Sequence, residues 1–176
     1  MTVRIKRLSP KYQIKVLHPE QAEIIEKLLD RVIEFYGDNL VSLAVFGSFA
    51  RGEPKLNSDL DILIILKKKE GIGKELERFQ EHIESVVDAK LQELYEVHGI
   101  DMEISPLILS EEDAKFFNPI YLDMVEHSII IFDRGGLLQK ILNRVREKIG
   151  NIKKLEFGAT YIWDMTQENL IGEKLL

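Results

Sequence analysis

The segment Asp59-Leu60-Asp61-Ile62-Leu63-Ile64-Ile65-Leu66 constrains this chain more than any other. Leu60 to Leu66 is apolar apart from Asp61, which predicts a strand covered on both faces, as at the centre of a sheet. Side chains along a strand alternate faces, so Asp59 and Asp61 project from the same one. Two like charges at the mouth of a buried strand repel each other, and a cation between them removes that cost. Hard carboxylate oxygens suit Mg²⁺. Ahead of the pair, Leu40 to Phe46 predicts another apolar strand, which runs into the small-residue turn Gly47-Ser48-Phe49-Ala50-Arg51-Gly52. Gly47 lets the backbone approach a ligand closely, and amides in such a turn cradle phosphate oxygens. Together these parts describe a metal–nucleoside triphosphate site.

Gly47-Ser48 followed by Asp59-x-Asp61 resembles the signature of the DNA polymerase beta-like nucleotidyltransferase superfamily. Within it, Gly47 to Gly52 with Ser58-Asp59-Leu60-Asp61 is similar to the minimal nucleotidyltransferases of archaea and bacteria. Glu103 to Ser110 resembles the third core strand of the same group. Asp133-Arg134-Gly135-Gly136 and Tyr161-Ile162-Trp163-Asp164 are similar to its C-terminal features, more loosely. The resemblance runs from about Leu40 to Leu138. It implies an α/β (α+β) nucleotidyltransferase fold, with a small mixed central sheet flanked by helices. The 176 residues are expected to form a single nucleotidyltransferase domain, its core at about 20–138 and a C-terminal helical or irregular extension at about 139–176.

The reaction so implied is metal-dependent transfer of a nucleoside monophosphate, AMP from ATP above all, to an acceptor hydroxyl. Two Mg²⁺ ions, or Mn²⁺ in their place, lower the acceptor's pKa and hold the triphosphate and its leaving group. Three carboxylates ordinarily hold such a pair. Asp59 and Asp61 supply two, and Ile100-Asp101-Met102-Glu103-Ile104 offers Asp101 or Glu103 as the third. The group's pattern around Ser105-Pro106 favours Glu103, as metal ligand and general base. Gly47 and Ser48 are expected on the β- and γ-phosphates. Arg51 is expected to neutralise triphosphate charge, since a guanidinium matches phosphate geometry; its competing role is an ion pair with Glu53 or Asp59. Ser58 belongs to the nucleotide-binding set chiefly as the residue that orders the loop.

The expected partners are ATP or another NTP and a helical, toxin-like protein, as in toxin–antitoxin pairs. A homodimer stays open. Two alternatives remain: a catalytically weak nucleotide- or partner-binding module of the same fold, and a small-molecule, aminoglycoside-type nucleotidyltransferase. The net charge of −6 argues against a nucleic-acid footprint. The basic arm Arg4, Lys6, Arg7, Lys11 and Lys15 reads as solvated. Cysteine is absent, which excludes disulfides and thiolate chemistry and fits a reducing compartment. No apolar run approaches the about 18 residues of a membrane span, and Met1 to Leu17 lacks a signal-peptide core. A cytoplasmic location is therefore expected.

Other motifs fall short. Phe46 and Ala50 stand where a nucleophile elbow needs glycines, and Lys68 replaces the first glycine of a Walker A loop. His18, His82, His98 and His127 lack metal-ligand spacing and read as surface or helix-end residues. Pro19 is expected to open a helix ending at Gly37. Gly73 to Val97 predicts one long amphipathic helix. Ile100 to Leu109 and Ser128 to Phe132 predict strands, and Gly135-Gly136 a helix start. Lys153 to Trp163 reads as strand or helix, with Tyr161 and Trp163 either a base-stacking pair or a packing anchor.

Overall fold

The computed structural model describes residues 7–8, 11–151, 153–157, 160–164 and 170–176. Of the basic arm, Arg4 and Lys6 lie outside the described residues. Two short strands, β1 (Arg7–Leu8) and β2 (Lys15–Val16), pair antiparallel. Helix α1 (Pro19–Tyr36) follows, with Pro19 in its first turn, the His18 side chain accepting from the Glu20 amide, and Gly37 at its C-cap. Strand β3 (Leu40–Val45) and the short helix α2 (Gly47–Arg51) lead to strand β4 (Leu60–Leu66). Helices α3 (Ile72–His82) and α4 (Asp88–His98) come next, then strand β5 (Ile104–Ser110). The chain continues through α5 (Glu111–Ala114), α6 (Ile120–Glu126), strand β6 (Ile129–Asp133) and α7 (Leu137–Lys148). A hairpin of β7 (Lys153–Phe157) and β8 (Thr160–Asp164) follows, so the segment left open between strand and helix is two strands.

The central sheet has the order β5-β4-β3-β6. Strand β3 runs antiparallel to β4 and β6, while β4 runs parallel to β5. This is the mixed α/β architecture expected, and β4 lies inside the sheet as its apolar run predicts. Leu60, Ile62, Ile64 and Leu66 face a core built with α1, α3, α4 and Phe49 of α2. Leu63 and Ile65 face the opposite core, built with α6 and α7. Asp61 shares the parity of Leu63 and Ile65, so the acid pair opens on the α6–α7 side. Strand β5 is an edge strand, with Pro106 opposite Ile62.

The long helix expected over Gly73 to Val97 is instead two helices. A 3₁₀ turn, Glu84–Val86, separates them. Ile83 and Val87, on either side of it, are both fully buried. Val86 and Val87 are β-branched and weak helix formers, so the break falls where it costs little helix stability.

Candidate active site

Strand β3 delivers Phe46 in an extended conformation, and its amide donates to the Asp61 carbonyl at 3.0 Å. That bond fastens the turn to β4. Gly47 then adopts φ +67°, a conformation that L side chains avoid. Space excludes a side chain as well: a β-carbon on Gly47 would stand 2.1 Å from Asp61 Oδ2. The close approach expected of Gly47 is thus made first by a carboxylate. Phe49, fully buried, anchors α2 in the α1-side core. Gly52 closes the helix in a left-handed C-cap. A side chain there would meet Lys15, whose Nζ lies 2.8 Å from the β-carbon position. Lys15 of the basic arm therefore rests against the turn.

Asp59 is exposed and Asp61 is half-buried. Burial first, then the charges of Asp59 and Asp123, push the Asp61 carboxyl up; Arg51 and a hydrogen bond from Ser105 pull it down. Asp61 pairs in register with Ser105, and Leu60 with Ile104. One step back along this parallel ladder places Glu103 beside Asp59, and the Glu103 carbonyl accepts from the Leu60 amide at 2.8 Å. The exposed Glu103 carboxylate also reaches Glu84, whose carboxyl is raised by burial, Asp88 and Glu103 in that order. Asp101 is exposed, and its amide donates to the Leu56 carbonyl at 2.6 Å.

Arg51 pairs with neither Glu53 nor Asp59. Its Nη1 donates to both oxygens of Asp123 on α6, at 2.9 and 3.2 Å, with both side chains partly exposed. The Ser58 hydroxyl accepts from the Lys55 amide at 2.8 Å and so shapes the loop that delivers Asp59. Ser48 is half-buried in α2, and its carbonyl accepts from Glu53. The first-turn amides of α2 have no acceptor within so short a helix.

The structure thus brings Gly47, Arg51, Asp59 and Asp61 together, with Glu103 at the adjoining register position. Three participants escaped the sequence. Ser105 needed the β4–β5 register, Asp123 the path of α6 over the sheet, and Lys15 the docking of β2. A groove of about 560 Å³ lies elsewhere, along α1, lined by Glu23, Glu26, Lys27, Asp30, Arg31 and Glu34 among others. Chemistry points to the carboxylates, because two acids close together with one partly shared guanidinium leave negative charge uncompensated. That donor set, hard oxygens around a raised carboxyl, fits a divalent cation.

The model of the nucleotidyltransferase domain family matches residues 25–138. A Methanocaldococcus jannaschii protein, provisionally named a protein adenylyltransferase, is 31% identical over 142 residues, covering 80% of this chain and 90% of its own. Among solved structures, a mutant MntA-HpeT toxin–antitoxin superposes with a TM-score of 0.42 at 12% identity, covering 70% of this chain and 88% of its own. A toxin–antitoxin crystallised with AMP-PNP gives a TM-score of 0.41 at 14% identity, over 75% of this chain and 90% of its own.

Proposed function

Because this chain belongs to the nucleotidyltransferase domain family, we propose that it transfers AMP from ATP to a hydroxyl of a partner protein. The observation that carries this reading is the seating of the Asp61 carboxylate against Gly47, which joins the turn to the acid pair in one site. The protein acceptor is supported by the name of the Methanocaldococcus jannaschii relative. In the transfer, the acceptor oxygen forms a bond to the α-phosphorus as its proton passes to Glu103 as general base, the bond to the bridging oxygen breaks, and pyrophosphate leaves.

Asp59, Asp61 and Glu103 would hold divalent metal, two Mg²⁺ ions in this reading. Metal so held supplies positive charge that activates the attacking oxygen and steadies the leaving group. Glu103 is preferred to Asp101 because its carbonyl accepts from Leu60, the residue that follows Asp59. Ser105 holds the Asp61 carboxyl toward the ionised form. The Gly47 and Ser48 amides bind phosphate oxygens at the start of α2. Arg51 leaves Asp123 for the triphosphate, a stronger anion in reach of the same fork. Lys15 adds a cation at the far end of the turn.

The test is incubation with labelled ATP, Mg²⁺ and candidate partner proteins. Label passes to a protein in the wild type and not in Asp59→Ala. Absence of both label transfer and pyrophosphate release in the wild type defeats the proposal. Nucleotide binding without turnover would instead support a binding module.

A further inference from the structure

Away from the acid-bearing turn, donors of a different kind meet where α1 begins and α4 ends. His18 caps α1, Glu20 lies in its first turn, and His98 is the last residue of α4. Each histidine is a helix-end residue, as the sequence suggested, yet the fold brings the two together. Their rings stack with centroids 3.8 Å apart and planes inclined by 29°. His98 Nε2 lies 3.1 Å from Glu20 Oε2. One ligand atom from each of the three residues lies within 4.8 Å of the other two. Glu20 is exposed and both histidines are half-buried, so an ion can enter and keep water. Beside Glu20 is a cavity of about 150 Å³ lined also by Glu23, Ile24, Lys90 and Glu93. Its three carboxylates outnumber one ammonium, which pairs with Glu23 at 3.5 Å. The local field therefore favours cations.

We propose that His18, Glu20 and His98 form a second metal site, selective for a Zn²⁺-class ion and separate from the nucleotidyl-transfer carboxylates. Imidazole with carboxylate suits zinc, nickel or copper, where oxygen alone suits magnesium. Zinc bonds to nitrogen and oxygen are about 2.0–2.2 Å, so two ligands on one ion stand at most about 4.4 Å apart. From separations within 4.8 Å, side-chain rotations that open the ring stack bring the three ligand atoms onto one ion. Three existing contacts have to yield: the stacked rings splay so that an in-plane lone pair of each meets the ion, the His98–Glu20 hydrogen bond opens to admit it, and the His18 cap bond is given up. His18 Nδ1 accepts from the Glu20 amide at 3.3 Å, a weak bond. Ligation through Nδ1 takes that lone pair; ligation through Nε2 places the proton on Nδ1 and makes it a donor. Either way the cap bond is exchanged for a metal bond. The C-terminal dipole of α4 favours a cation at His98, and Glu20 offsets the opposing dipole of α1.

The experiment uses the full chain carrying Asp59→Asn and Asp61→Asn, which silences the transfer site. Calorimetry with Zn²⁺ should show one saturable site, and thermal unfolding should move upward with Zn²⁺. Mg²⁺ should leave unfolding unmoved. Co²⁺ should give visible absorption from nitrogen ligation. Loss of even an outer-shell partner weakens metal sites about 10- to 100-fold, so His18→Ala or His98→Ala should weaken binding at least about tenfold. Both together should abolish it, and Glu20→Gln provides a third variant should either histidine prove necessary for folding. No saturable Zn²⁺ binding, or equal binding after His18→Ala and His98→Ala, overturns the proposal. Neither result bears on nucleotidyl transfer.

Discussion

Arg51 Nη1 lies 2.9 Å from Asp123 Oδ2, across a sequence separation of 72 residues, so the cation closing the turn is held by a helix on the face of the sheet to which the acid pair opens. The pair keeps the Arg51 charge near enough to Asp61 to pull its carboxyl down, and in the proposed function it is the contact that a triphosphate would displace.

Arg51→Ala should raise KM for ATP about 10- to 100-fold, the value of one charge-assisted bond of about 1.5–3 kcal/mol. Asp123→Asn should lower KM, because it releases Arg51 and removes a negative charge near the phosphates. Loss of this part-exposed pair should change stability by only about 0–1 kcal/mol. Initial-rate kinetics over a range of ATP concentrations decide the matter. An unchanged KM in Arg51→Ala removes the arginine from the phosphate site.

Gly47→Ala meets two obstacles. The left-handed backbone costs a side chain about 1–2 kcal/mol, and the new methyl group displaces the Asp61 carboxylate. A shift of about 1 Å in a reacting group can cost about 10²-fold, so kcat should fall by that order, with a lower Tm. Wild-type kcat in this variant would show that Asp61 need not sit where it does.

Asp61 sets a pH dependence. Its folded pKa is raised above the ordinary 3.8, so the contribution is fully present below that value and is lost as pH rises through the raised one. Without metal, ionised Asp61 is therefore a burden at neutral pH. Asp61→Asn should be more stable than wild type near neutrality and lose that advantage toward pH 3.8. Urea midpoints measured in EDTA test the sign, and Mg²⁺ should narrow the gap by stabilising only the wild type.

The β4–β5 register makes different demands of neighbouring residues. Glu103→Gln should lower Mg²⁺-dependent transfer by about 10²-fold or more, as loss of a group acting on developing charge does. Asp101→Asn should stay near wild type. Ser105→Ala removes a bond that favours ionised Asp61, so the acidic limb of the pH–rate profile should move to higher pH. The reverse ranking of Glu103 and Asp101 would place the third carboxylate on the loop.

Local patterns in the chain were readable because their causes are local. Asp59, Asp61 and Gly47 lie in one strand–turn–strand passage, where alternation and glycine conformation suffice to join them. The apolar run of β4 likewise announced a central strand. Ser105, Asp123 and Lys15 came from pairings that periodicity does not encode: a parallel register, a helix crossing and a docked strand. The break between α3 and α4 was hidden because the buried Phe79, Ile83, Val87 and Leu94 all suit the spacing of one continuous helix. His18 and His98 met for the same reason as Ser105 and Asp61, through tertiary placement alone.

Pro106 on the edge strand β5 has a bearing on whether another strand can add to this side of the sheet. Residues bonding one neighbour alternate along a parallel strand, and Glu103 bonds inward to Leu60. By that alternation the Pro106 nitrogen faces outward, where its missing hydrogen costs the ladder nothing. The outer rim thus lacks a donor midway along its length, and an incoming strand would find the row interrupted. Extension of the sheet into a second chain is discouraged at this edge. If the acceptor is a partner protein, as proposed, it would meet this edge of the sheet through side chains and not as an added strand.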